Sequence, residues 1–131
     1  MKRLLVMGLV ILFLCPVMVN AAEQEKINIA VASDDATSEA SVSNEAAKCP
    51  YYLIFNGTGE LVEVVDNPYG EARRNAGPSA AHFLARRGVT IVIAGNFGSK
   101  MLDTLKSKGI AHFEFKGGVD AAVKRVVEGG L

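Results

Sequence analysis

A glycine-containing turn after an apolar segment is the part of this chain best suited to hold a ligand. Val89–Ala94 is rich in β-branched residues, which favour a buried strand, and the glycines that follow let the backbone bend and approach a ligand closely. Ser99 is then predicted to cap a helix whose first N–H groups stay free for an anion or a metal cluster. The predicted binding residues of this glycine turn are Gly95, Asn96, Phe97, Gly98 and Ser99. The alternative is a strand–helix turn that binds nothing.

Two side chains could ligate a soft metal such as iron, copper or zinc. Cys49 has no cysteine partner if the N-terminal segment that contains Cys15 is removed, so it is a buried inert thiol, an intermolecular partner or a ligand. One thiolate is too few for a four-cysteine iron–sulfur site, so a preformed cluster would also need a histidine or backbone N–H groups. We predict Cys49 as the main metal ligand. His82, near the start of a predicted helix, is the predicted helper, with a surface or packing histidine as the alternative.

Other chemistry-bearing residues favour structural roles. His112 lies inside a predicted strand and Met101 on a predicted helix, so we expect both to pack. Asp34 and Asp35 could hold a hard cation, but a solvated loop end is the stronger expectation. The chain shows no Ser-His-Asp signal, no zinc-protease helix and no P-loop lysine spacing, which favours binding over catalysis.

The N-terminus has the pattern of a secretory signal peptide. Lys2 and Arg3 precede the apolar run Leu4–Val19, and compact residues lead to a predicted cleavage after Ala21. The pattern predicts a signal peptide over residues 1–21, a mature domain over 22–131, and a periplasmic or secreted protein without membrane attachment after cleavage. An uncleaved membrane anchor is the alternative.

The mature chain has the size of one domain and little net charge. Cleavage leaves 110 residues with twelve basic and fourteen acidic side chains, a net charge of −2. One hydrophobic core suits this length. Nucleic-acid binding needs a concentrated basic face, so this balance argues against a nucleic-acid partner.

Apolar periodicity and turn residues predict eight elements in the order β-β-β-α-β-α-β-α. The predicted strands are 27–32, 51–55, 61–65, 89–94 and 110–115, and the predicted helices are 78–87, 99–108 and a last one after Gly118. We expect a mixed five-stranded sheet in which right-handed crossovers place the first strand beside the fourth. Ligands in such sheets bind beyond the carboxyl ends of the strands, which would bring together the loops after Ala32, Ala94 and Asp66.

Several segments resemble the dinitrogenase iron–molybdenum cofactor biosynthesis family. Residues 43–54 (SNEAAKCPYYLI) are similar to its S-x-x-F-G-R-C-P-Y-F-x-I segment, and 77–84 (GPSAAHFL) to its G-P-x-A-A-x-x-L helix start. Residues 88–98, and then 108–110, resemble its G-V-x-V-V-I-A-G-x-F-G and late G-I elements. The similarity spans about residues 27–128, nearly the whole predicted mature domain.

The resemblance implies a ribonuclease-H-like mixed sheet and, for some members, a role in carrying iron–sulfur precursors of the nitrogenase cofactor or the cofactor itself. This chain departs from the pattern at Ala46 and Ala47, which replace a Phe-Gly pair, and at Ser99, where many members have Pro. We therefore predict an exported, non-enzymatic domain that binds an iron–sulfur-type or iron–molybdenum-type metallocluster or a single soft metal ion, with a protein acceptor as a further partner. The alternatives are a metal-free protein-interaction domain and a small-anion binder at Gly95–Ser99.

Overall fold

The computed structural model describes residues 27–129, which form five strands and three helices in the predicted order. The strands are β1 (Asn28–Ser33), β2 (Tyr51–Asn56), β3 (Leu61–Asp66), β4 (Ile91–Ala94) and β5 (Ala111–Glu114). The helices are α1 (Ala76–Arg86), α2 (Ser99–Ser107) and α3 (Val119–Val127). The bounds match the prediction to within two residues. The predicted signal peptide, residues 1–21, lies outside the described residues.

The five strands form one mixed sheet in the order β3-β2-β1-β4-β5. Strand β1 pairs antiparallel with β2 and parallel with β4, and β4 pairs parallel with β5. The backbone N–H of Thr90 donates to the carbonyl of Asn28 at 2.9 Å, which ties the start of β4 to the start of β1. The prediction that the first strand neighbours the fourth is therefore confirmed, and so is the mixed α/β sheet with three helices.

Alternation along β1 builds a core on each face of the sheet, because successive side chains of a strand point to opposite faces. Ala30 and Ala32 belong to the core beneath α1 and α2, whereas Ile29 and Val31 belong to the core beneath α3. All four are fully buried. Helices α1 and α2 approach each other closely, since a Cβ at Gly77 would lie 3.1 Å from the Cβ of Met101 and 3.2 Å from its backbone N.

One detail of the helices differs from the prediction. Gly98, not Ser99, is the N-cap of α2, and no side chain caps this helix, so Ser99 is its first helical residue. On α1, Phe83 is half-buried and its ring contacts Tyr69 edge-on. On α3, Val127 is 39% exposed.

One edge of the sheet is unusually apolar. Leu61, Val62 and Val64 of β3 are all exposed by 41% or more. The pairing with β2 shifts register between Ile54 and Phe55, so Val62 is an extra, bulged residue, and such bulges bend an edge strand away from further pairing. None of the helices formed by residues 27–129 has both the length and the apolar character that crossing a membrane requires.

Candidate functional site

A cavity of about 450 Å³ opens where α1 and α2 begin, beyond the carboxyl ends of β1 and β4. We call it the helix-start cavity. Its wall comes from three segments: residues 44–48 after β1, residues 75–78 at the start of α1, and residues 96 and 98–101 of the glycine turn and the start of α2. The three loops expected to meet at this edge of the sheet therefore do meet.

Free backbone N–H groups of both helices belong to this wall. The first hydrogen bond of α2 runs from the N–H of Leu102 to the carbonyl of Gly98 at 3.1 Å, so the N–H groups of residues 99–101 precede it. In α1 the N–H of Ser79 donates to Asn75 at 3.0 Å, which leaves the N–H groups of Ala76 and Gly77 outside the helical ladder. Two positive helix ends thus share one cavity, an arrangement that favours a bound anion.

Gly95 and Gly98 serve the glycine turn in different ways. A Cβ at Gly95 would lie 2.8 Å from Oδ1 and 2.9 Å from Cα of Asn44, and 3.2 Å from the carbonyl oxygen of Ser43. This close approach lets the N–H of Gly95 donate to Ser43 at 2.8 Å. A Cβ at Gly98 would meet nothing within 4 Å, so Gly98 faces open space. Only Gly95 is needed for steric reasons.

Side chains around the cavity add positive charge. Lys48 and Lys100 line it together with one carboxylate, Glu45. Amide side chains from each of the three segments complete its polar lining: Asn44, Asn75 and Asn96. Two ammonium groups against one carboxylate, beside two helix N-termini, give a site suited to an anion rather than to a bare cation.

The segment that precedes β2 is fixed from behind by buried polar groups. The N–H of Ala46 donates to the carbonyl of Asn96 at 3.1 Å, which joins two walls of the cavity. The hydroxyl of Tyr52 donates to the carbonyl of Ala46 at 2.5 Å. Nδ2 of Asn67 donates to the carbonyls of Ala47 and Cys49, both at 2.8 Å. Sheet and loop together set the position of this wall.

Cys49 lies behind that wall rather than in it. Its side chain is 1% exposed, its thiol lies 3.8 Å from the carbonyl oxygen of Ala46, and Nδ2 of Asn67 lies 3.9 Å from Sγ. Burial raises the pKa of the Cys49 thiol to about 12, so the thiol is protonated at neutral pH. A role of Cys49 as a metal ligand stays a prediction, and it requires loss of this proton and opening of the wall.

The structure does not bring His82 to the helix-start cavity. His82 is exposed and lines a separate depression of about 490 Å³ with Arg86 and Lys108, at the ends of α1 and α2. We call this the helix-end depression. His112 is also exposed, and its ring contacts Phe97 of the glycine turn edge-on at 5.2 Å between centroids. Metal binding by His82 stays a prediction as well.

Among residues 27–129, no three His, Cys, Asp or Glu side chains come together in a group that could hold a metal ion. The sequence reasoning missed the contribution of Lys48, Lys100 and the start of α1 to the site. The Gly77-Pro78 pair marked that helix start, but nothing in its spacing indicated that the two helices begin side by side.

Known proteins share this fold along nearly their whole length. The apo form of the orange protein from Desulfovibrio gigas superposes with a TM-score of 0.73 and is 25% identical, with 78% of this chain and 88% of that one covered. A NifB-like protein from Thermotoga has a TM-score of 0.68 and 32% identity over 79% of this chain and 89% of its own. A dinitrogenase-like protein from Methanocaldococcus jannaschii, at 19% identity and a TM-score of 0.58, shares the fold over 79% and 89% of the two chains.

A search of curated proteins finds no match. A family model described as dinitrogenase iron-molybdenum cofactor matches residues 25–129, which include every element of the described fold and all three segments of the helix-start cavity. The chain therefore belongs to the dinitrogenase iron-molybdenum cofactor family.

Proposed function

We propose that this protein is a non-enzymatic carrier that holds an anionic metallocluster, of the iron–sulfur or iron–molybdenum type, in the helix-start cavity. The observation that carries the proposal is the meeting of two helix N-termini at one cavity, with the N–H groups of residues 76, 77 and 99–101 outside the helical ladders. Membership of a family named for the iron-molybdenum cofactor supports a cofactor-binding accessory role.

The donor set fits a preformed cluster better than a single metal ion. Backbone N–H groups and the ammonium groups of Lys48 and Lys100 bind anions, and terminal sulfides or oxides of a cluster are such acceptors. A bare soft metal ion would instead need thiolate or imidazole ligands. The cluster is thus cargo that enters complete and is held by hydrogen bonds and charge.

Cys49 remains the proposed ligand if a soft metal is bound directly, with His82 as a helper of smaller effect. Cys49→Ser then lowers retention of copper or of reconstituted iron by well over about tenfold, because a hydroxyl is a poor ligand for soft metals. Equal retention by Cys49→Ser and the wild type would assign the thiol a structural role.

We also propose export, on the basis of the basic start Lys2-Arg3, the apolar run and the Ala21 site. Chains exported by the general secretory route cross the membrane unfolded, so the cargo would be acquired outside the cytoplasm. Intact-mass analysis of the protein from its native host should give a mature N-terminus at Ala22. A mass that still includes residues 1–21 would refute cleavage.

The binding proposal is tested by anaerobic reconstitution of the reduced protein. We expect iron with sulfide to give a visible absorption band that stays with the protein through gel filtration, and molybdate, as a simple dianion, to bind measurably by calorimetry. Binding of molybdate without retention of any cluster would favour the small-anion binder at Gly95–Ser99. Absence of binding to all probes, copper included, would overturn the proposal.

A second candidate function, a protein-interaction domain, is favoured by the exposed apolar residues of β3. Leu61, Val62 and Val64 form the kind of surface that protein partners cover. An acceptor protein that receives the cluster would unite the two candidates. Leu61→Ser with Val64→Ser should leave molybdate binding unchanged in calorimetry, because β3 contributes no residue to the helix-start cavity.

A further inference from the structure

Tyr52 and Asn67 form a buried polar cluster with Cys49, next to the helix-start cavity but not in it. Neither Tyr52 nor Asn67 lines the helix-start cavity, and the proposed binding of a cluster uses neither side chain. Tyr52 is fully buried in the centre of the sheet, where it pairs with Ala32 on β1 and Val65 on β3. A hydroxyl in such a place would be costly without a partner, and its partner is the carbonyl of a loop residue, Ala46.

Asn67 reaches the same loop from the end of β3. Its Nδ2 donates to the carbonyls of Ala47 and Cys49 at 2.8 Å each, while its Oδ1 accepts from the N–H of Tyr69 at 3.0 Å. The backbone N–H of Asn67 donates to Pro50, also at 3.0 Å. Three of these hydrogen bonds fix the orientation of the side-chain amide and the fourth anchors its backbone, so the loop carbonyls are held against a rigid group.

Apolar packing also holds this loop, because Ala46 is buried in the core and Ala47 packs against it, but such packing does not fix its carbonyl groups. Residues 46–48 read Ala-Ala-Lys, and the side chains of the first two residues can form no hydrogen bonds. Yet this stretch lines the cavity beside the two helix starts and carries Lys48. Across the cavity, the backbone of this stretch is tied by the 3.1 Å hydrogen bond from the N–H of Ala46 to the carbonyl of Asn96.

We infer that Tyr52 and Asn67 are positioning residues for the cargo: they hold the wall at residues 46–48, and with it Lys48 and Asn96, at the distance that lets both helix starts contact one anion. The assignment rests on the proposed function. It gives the buried polar cluster a role in binding that involves no contact with the ligand. Cys49 belongs to the same cluster and supports the same wall.

Two deletions of single hydrogen-bonding groups test the inference. Tyr52→Phe removes one hydroxyl and keeps the ring, and Asn67→Ala removes the amide from a half-buried loop position. We expect each to weaken molybdate binding by about fivefold or more, because a loosened wall must be ordered at the moment of binding. Backbone amide NMR should show the resonances of residues 44–48 and 96 shifted in the free variants, and a smaller response to molybdate.

Two neighbours on β2 provide the matched controls. Ile54→Val removes a methyl group from the core to which Tyr52 also belongs, so it lowers stability while leaving the loop contacts intact. Tyr51→Phe removes a hydroxyl from a half-buried position adjacent to Tyr52 in the chain. Both should bind molybdate within about twofold of the wild type. If Ile54→Val, with a similar loss in unfolding midpoint, weakens binding as much as Tyr52→Phe, the effect is one of general stability and the inference is wrong.

The outcomes separate this inference from the proposed function. If Tyr52→Phe and Asn67→Ala bind molybdate as tightly as the wild type does, the positioning role alone is overturned. Wild-type failure to bind molybdate or a reconstituted cluster overturns the proposed function and the positioning role together. Should Tyr52→Phe not fold, Asn67→Ala decides the question by the same calorimetric and NMR measurements.

Discussion

The helix-start cavity and the helix-end depression lie at opposite ends of the same two helices, and they differ in backbone polarity rather than in size. Their volumes are about 450 and 490 Å³, and each is lined by at least two cationic side chains. At the helix starts the backbone presents free N–H donors, whereas at the helix ends it presents carbonyls, several of which accept hydrogen bonds from the turns at Gly88 and Gly109, both with positive φ. The positive charges of Arg86 and Lys108 therefore offset the negative ends of the helix dipoles. The positive charges of Lys48 and Lys100 instead add to the positive ends. Volume and charge alone would not tell a binding site from a helix end.

The largest effect is expected at Gly95, which does not line the helix-start cavity but packs the glycine turn tightly against Asn44, a residue of the cavity wall. Gly95→Ala forces a Cβ to within 3 Å of Asn44, whose Cα belongs to the backbone and cannot rotate away. We expect a loss of about 1–3 kcal/mol in the free energy of unfolding, measured by urea denaturation, and loss of molybdate binding in calorimetry.

Gly98→Ala is the matched control for Gly95→Ala. The added methyl group meets nothing within 4 Å, and the residue has ordinary extended angles, so stability should fall by less than about 1 kcal/mol. Equal destabilisation by the two substitutions would show that the close approach at Gly95 is not what shapes the turn.

Charge reversal tests the comparison directly. Lys48→Glu with Lys100→Glu should weaken molybdate binding by about tenfold or more, because both ammonium groups line the helix-start cavity. Arg86→Glu with Lys108→Glu makes the same change in net charge at the helix-end depression and should alter binding by less than about threefold. Equal losses from the two pairs, in calorimetry at matched ionic strength, would mean that overall charge and not the cavity attracts the anion.

A pH effect is expected from the groups buried behind the cavity wall. Burial raises the pKa of Cys49 from 9.0 to about 12 and also raises the pKa of Tyr52. Above pH 9 the unfolded chain releases the thiol proton while the folded chain keeps it, so the free energy of unfolding falls as pH rises from about 9 to 12. The slope is at most about 1.4 kcal/mol per pH unit for each group.

Urea denaturation of wild type and Cys49→Ala at pH 8 and pH 10 measures this linkage. We expect the wild type to lose more stability than the variant between the two pH values. A parallel loss in both proteins would indicate that the thiol titrates as freely in the folded state as in the unfolded one.

The smallest effect is expected at His82. Because this side chain lines the helix-end depression, His82→Ala should change molybdate affinity in calorimetry by less than about twofold. A tenfold loss would show that cargo contacts the far end of α1, and the distinction between the two depressions would fail.

Element order and strand adjacency could be predicted from the sequence, because β-branched runs, glycine stops and right-handed crossovers leave few alternatives. The distance of His82 from the helix-start cavity could not be predicted from the sequence. Helix α1 begins at Ala76 rather than Pro78, so six residues, or about 9 Å of helix, separate His82 from the cavity end. The glycine turn was found from Gly95 and Gly98, but its capping residue was misjudged since Gly98 itself takes the cap position.

The sequence left the burial of Cys49 open, as one of three alternatives for this residue. Cys49 lies between a polar loop and a strand, and either neighbour could have set its exposure. Its burial depends on hydrogen bonds from Tyr52 and Asn67, which lie 3 and 18 residues after Cys49 and hold the turn at residues 46–49 against the sheet. Local patterns hold no information about such contacts.

The place of β1 in the sheet has a consequence for the order of folding. Its antiparallel partner β2 follows within about 20 residues, but its parallel partner β4 begins only at Ile91, 63 residues after β1 has started. During synthesis or refolding the β1–β2–β3 meander can therefore form early, with one edge of β1, the most buried strand, unpaired until β4 arrives. Such an open edge invites pairing between chains, so refolding at high protein concentration should favour aggregation over the native sheet.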